Sequence, residues 1–85
     1  MDIKNSVINE VIISFTDWCD KNIVSCDNIE INVDWLYIKV TILQFIDFLK
    51  QSLNHNGDKY FYYICDNVEY VINLDYIVNI EVEYE

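Results

Sequence analysis

Glu81, Glu83 and Glu85 stand two residues apart, and Val78, Ile80, Val82 and Tyr84 occupy the positions between and before them. That alternation is the period of a β-strand, so the three carboxylates project from one side at intervals of about 6.6 to 6.8 Å. One strand of duplex DNA advances about 3.4 Å per phosphate, so every second phosphate falls near the same repeat. The chemistry of such a row is the recognition of cations, meaning Lys and Arg side chains of another protein. Glu69 and Glu30 are expected to extend the field from neighbouring strands, and Tyr62, Tyr70 and Tyr84 to supply packing, because rigid rings bury area at small entropic cost. Strict alternation sets Tyr84 on the apolar side of its strand. Solvent-facing Glu on an edge strand also protects against edge-to-edge aggregation, which is the competing account of the same residues.

The remaining candidates carry little chemistry. His55 is the only histidine and lies in Asn54-His55-Asn56-Gly57, where a helix is expected to end and a cation is favoured. A nucleophile and base need a Cys or Ser held against that ring by a third group, and the spacing supplies none. Cys19, Cys26 and Cys65 form no closely spaced pair, so a structural zinc site is not indicated and buried, reduced thiols are expected. One Gly cannot build a phosphate loop. The expectation is a non-enzymatic protein with no cofactor or metal.

Charge sets the partner class. Fifteen Asp and Glu stand against five Lys and no Arg, a formal −10, and residues 60–85 carry −6 of it. Such a surface repels nucleic acid and acidic lipid and attracts cationic protein. Hydrophobic residues make up 53% of the chain, more than 85 residues bury easily, so an interface with a second copy or a partner is expected. Ala, Arg and Pro are absent and Gly occurs once, while Ile, Asn, Tyr and Asp abound, the codon bias of an A/T-rich genome. Without a basic-flanked apolar leader, the chain is expected to be cytoplasmic, in the host cytoplasm if a phage or virus encodes it.

The elements that must position these residues follow from periodicity. Val7, Ile8, Val11, Ile12, Phe15, Trp18 and Cys19 fall on one helical stripe from Ile3 to about Asn22, with Asp17 and Lys21 as an i,i+4 pair on the far side. Ile29, Ile31 and Val33 alternate as a half-buried strand, and the parity then flips to Leu36, Ile38 and Val40, which requires a bulge or tight hairpin near Asp34. Thr41 and Gln44 form a capping box, with Val40 and Phe45 placed for a hydrophobic staple. A second helix is therefore expected from Ile42 to about Asn54, burying Ile42, Phe45, Ile46, Leu49 and Leu53 and stopping before Gly57. Strands follow at Tyr60 to Cys65, Val68 to Leu74 and Ile77 to Tyr84, the first two joined by a turn at Asp66-Asn67. In the run Tyr60, Phe61, Tyr62 and Tyr63, Phe61 and Tyr63 are expected in the core. The expected fold is a single α+β domain over residues 1–85. Two amphipathic helices pack on one face of an antiparallel sheet of about four or five strands, in the order α-β(β)-α-β-β-β.

In size, acidity and absence of a catalytic motif the chain resembles the small phage-encoded inhibitors of bacterial defence, the anti-CRISPR type among them. That resemblance implies an inhibitor that occupies the basic channel of a nucleic-acid-binding effector by charge mimicry. The alternative is an immunity protein or antitoxin, a viral host-interaction module or a subunit of a larger assembly, which needs the same acidic face but no nucleic-acid mimicry. In both, the partner is a basic protein surface, with no direct contact to nucleic acid or membrane.

Overall fold

The computed structural model describes residues 7–16, 20–25, 28–54 and 59–85. In chain order the elements are β1 Ile8–Phe15, β2 Lys21–Val24, β3 Ile29–Val33, β4 Leu36–Val40, α1 Ile42–Asn54, β5 Tyr60–Cys65, β6 Val68–Asn73, a 3₁₀ turn Leu74–Tyr76, and β7 Ile77–Tyr84. They form two antiparallel sheets, β2-β1-β7 and β4-β3-β5-β6. The chain divides into two compact units, residues 1–25 with 76–85, and residues 26–75.

The expected pair of helices on one sheet is overturned, since α1 is the only α-helix among the described residues and strands dominate both units. Where the stretch expected as a first helix is described it forms strand, as β1 and the start of β2. Val11 and Ile13 are fully buried while Ile12 between them is half-buried, so the period that governs burial is two. Ile13, which lies off the helical stripe, is among the most buried residues of the chain. The physical reason lies in composition: Val7, Ile8, Val11, Ile12 and Ile13 are β-branched, crowded in a helix and well suited to a pleated surface. Lys21 lies in β2, while Asp17, Trp18 and Cys19 fall outside the described residues, as do His55 and Gly57.

In the first unit β1 is the central strand. Val11 lies opposite Val24 on one side and Val82 on the other, and Ile13 opposite Asn22 and Ile80, so one face is apolar except at Asn22. The amide of Phe15 donates to the Asp20 carbonyl at 3.1 Å where the chain turns towards β2, and the Glu85 amide donates to Val7 at 2.9 Å.

In the second unit α1 covers one face of the four-stranded sheet. Its start is the expected capping box: the Thr41 amide donates to Gln44 Oε1 at 2.9 Å and the Gln44 amide to Thr41 Oγ1 at 3.1 Å. Phe45, Ile46 and Leu49 are buried, whereas Leu53, near the last turn, is 38% exposed and outside the core. Phe45 meets Phe61 and Tyr63 edge-on, with centroids 5.7 and 5.0 Å apart, and Tyr63 stacks on Tyr70 at 4.9 Å. Edge-to-face and offset pairs of this kind contribute about 0.5–1.5 kcal/mol each beyond area burial.

Both hairpins of this sheet close with two-residue turns whose residues have positive φ: Asp34 (51°) and Trp35 (69°) between β3 and β4, Asp66 (50°) and Asn67 (67°) between β5 and β6. Two successive left-handed residues are the geometry that matches strand twist. The parity flip after Val33 is explained by the first of these turns, which pairs Val33 directly with Leu36.

Candidate functional site

Opposite residues of an antiparallel pair share a face, so register assigns each candidate side chain to a surface. In the first unit, Glu83 lies opposite Glu10 and Glu81 opposite Ile12, while Ile80 and Val82 face the other way with Ile13 and Val11. The alternation expected for the last strand holds. Glu81 and Glu83 are exposed, and Glu10 joins them on the same face. The Glu83 carboxyl shares a hydrogen bond with that of Glu10. This bond, together with the repulsion between the two charges, raises the Glu83 pKa above the ordinary carboxylate value. Like charges directly opposite each other destabilise a sheet. Asn79 Nδ2 donates to Glu81 Oε1 at 3.1 Å, so what Glu81 meets on its own strand is an amide. Lys21 lies opposite Ser14, towards the other end of the pairing.

Glu30 and Glu69 belong to the other sheet. They do not continue the row of β7 as neighbouring strands, because β3 and β6 pair within β4-β3-β5-β6. Glu30 lies opposite Lys39 and Ile64, and with Asn28, Lys39, Asp66 and Asn67 it lines a shallow polar recess. Glu69 accepts a hydrogen bond of 2.5 Å from the Tyr37 hydroxyl, which reaches it from β4. That bond, then desolvation and the carboxylate's charge, push the Tyr37 pKa up to about 12. No match to a family model, a curated protein or a solved structure is found for this chain. Its function has to be argued from its own residues.

The tyrosines divide by register as well. Tyr62 is 41% exposed on the face opposite the helix, together with Tyr60, Val71, Glu69 and Tyr37. Tyr70 lies on the helix side, stacked on buried Tyr63, and its ring is committed to that stack. Tyr84 shares the apolar side of β7 and is 43% exposed. Glu85 is exposed beyond the end of β7.

Two participants were not singled out from the sequence. A helical reading of the N-terminal stretch sets Glu10 on its polar side, and only strand pairing brings it opposite Glu83; its place one residue before the alternating Val11 and Ile13 is the available signal. Tyr37 was the other, and no local pattern links it to Glu69 across thirty-two positions. Among the described residues no group of three or more His, Cys, Asp or Glu is arranged to hold a metal ion. No helix of the described residues is long and apolar enough to cross a membrane. Cys65 is disulfide-bonded, in place of the reduced thiol expected.

Proposed function

We propose that this protein is a non-enzymatic acidic inhibitor that occupies a basic surface of a partner, by preference the nucleic-acid channel of an effector, through charge mimicry and steric occlusion. The observation that carries the reading is the shared face of Glu10, Glu81 and Glu83, where two carboxylates stand directly opposite each other and the Glu10 carboxyl raises the Glu83 pKa. A Lys or Arg from a partner relieves that repulsion on contact, so the face is better matched to a cation than to water. Glu30 and Glu69 carry negative charge on a separate sheet, and Tyr62 offers an exposed ring there.

The cytoplasm, where nucleic-acid-binding effectors reside, is part of the same proposal. Thiols are kept reduced there. Cys65 belongs to the four-stranded sheet and not to the face of Glu81 and Glu83, so binding is expected to survive a reductant.

The test is capture of partners from a lysate of an A/T-rich host on wild-type protein and on the E81K/E83K variant, at low and high salt, followed by elution with duplex DNA. Partners that are lost in the variant, weakened by salt and displaced by DNA support the mimic. Partners that bind the variant as well as the wild type remove this face from the account. Partners that need Glu81 and Glu83 but resist DNA identify an immunity-type binding module instead.

A further inference from the structure

β7 has a second asset besides its carboxylates: it is an edge. In the order β2-β1-β7 its only described neighbour is β1, and the pairing runs without interruption from Glu10 opposite Glu83 to Ser14 opposite Asn79. The Glu85 amide bonds towards β1 as well, which leaves the other margin of the strand with no described strand beyond it. The burial contrast agrees. β1 buries Val11, Ile13 and Ser14, whereas none of the eight residues of β7 is fully buried, and Val78 and Tyr84 are each 43% exposed.

Exposed edges are ordinarily blunted by Pro, by an inward Lys, by shortness or by a bulge within the strand. β2, the opposite edge of the sheet, is four residues long and carries Lys21. β7 is twice that length, and its register shifts lie only near its two ends. The deterrent its described residues carry is negative charge. That deterrent is selective. A second copy pairing antiparallel along this edge would bring the Glu81 and Glu83 of one chain against those of the other, which is unfavourable, whereas a basic strand would meet them with opposite charge.

We propose that the outer edge of β7 is a strand-addition site for an extended segment of the partner in which Lys or Arg alternates with aliphatic residues. Such a segment continues the ladder along Asn79 to Tyr84. Its cations meet Glu81 and Glu83, and its aliphatic side chains extend the face of Ile80 and Val82. The proposal rests on the cationic-partner reading above and adds the mode of docking: main-chain hydrogen bonds supply affinity, and the alternation supplies specificity.

The probe is an octapeptide alternating Lys and Val, compared with the same peptide N-methylated on its backbone amides, which keeps the charge and removes the donors. Titration calorimetry at low salt gives the two affinities, and amide hydrogen exchange reports on β7. The loss of several backbone hydrogen bonds predicts binding at least about tenfold weaker on methylation. Slowed exchange between Asn79 and Tyr84 is expected with the unmodified peptide. Equal affinity for both peptides, with no protection of β7, overturns strand addition and leaves the cationic-partner reading standing. Absence of binding by either peptide overturns both.

Discussion

Replacing Trp35 with Asn is expected to stabilise the protein. Trp35 is 93% exposed, so truncating it forfeits almost no buried area, yet it sits at φ 69°, where a bulky residue other than Gly is held against its preference. A left-handed residue costs roughly 1–2 kcal/mol relative to the right-handed regions, and Asn tolerates that conformation because its short polar side chain bonds locally. The second hairpin is an internal standard, since Asp66-Asn67 adopts the same pair of positive φ values with Asn where the first has Trp. W35N should therefore recover about 1 kcal/mol. With an unfolding entropy of roughly 2.1 cal/mol/K per residue, an 85-residue chain gains about 5 °C in Tm. The reciprocal change N67W should lower Tm by a similar amount. Thermal melts followed by circular dichroism measure both. A lower or unchanged Tm in W35N, or a harmless N67W, would show that packing rather than turn conformation governs these positions, and the argument would fail.

Two further outcomes follow from the carboxylates. The folded pKa of Glu83 lies above its unfolded value, so the folded protein retains a proton in a window just above the ordinary carboxylate range where the unfolded chain has lost it. Stability from this group is full below the unfolded pKa and is lost as pH rises through the folded one. E83Q is expected to melt higher than wild type at pH 7, and the gap should close as pH falls through that window; a gap that widens on acidification refutes the influence of Glu10 on Glu83. Tyr37 should be among the last tyrosines to ionise, near pH 12, and E69Q should return it towards 10. Its contribution to stability is complete below pH 10 and disappears as pH rises through about 12. Ultraviolet or NMR titration of the phenols decides, and an unshifted Tyr37 in E69Q would show that Glu69 is not the cause.

Local signals in this sequence were reliable where they were redundant. The capping box at Thr41, the parity flip at Asp34 and the alternation from Ile77 to Tyr84 each combine a period with a punctuating residue, and each element lies where those signals put it. The N-terminal stretch failed because its apolar residues satisfy both a helical stripe and a two-residue period, and nothing local arbitrates. What arbitrates is the availability of Val82 and Ile80, far along the chain, as partners for Val11 and Ile13. The division into two sheets was illegible for the same reason: strand order is a property of distant pairings, and it separated Glu30 and Glu69 from the row on β7. The faces of Tyr62 and Tyr70 follow from parity along their own strands, but the stack that engages Tyr70 required knowing that β5 and β6 are neighbours.

The pairing of β1 with β7 also bears on synthesis. The hairpin from Ile29 to Val40, the helix and the hairpin from Tyr60 to Asn73 can each close as soon as they leave the ribosome, since their contacts are local. Val11 and Ile13 are translated early but must wait for Ile80 and Val82, which emerge near the end of this sequence. Until then a nascent chain carries an incompletely paired aliphatic strand, and a message cut short before β7 leaves that strand exposed to aggregation and chaperones.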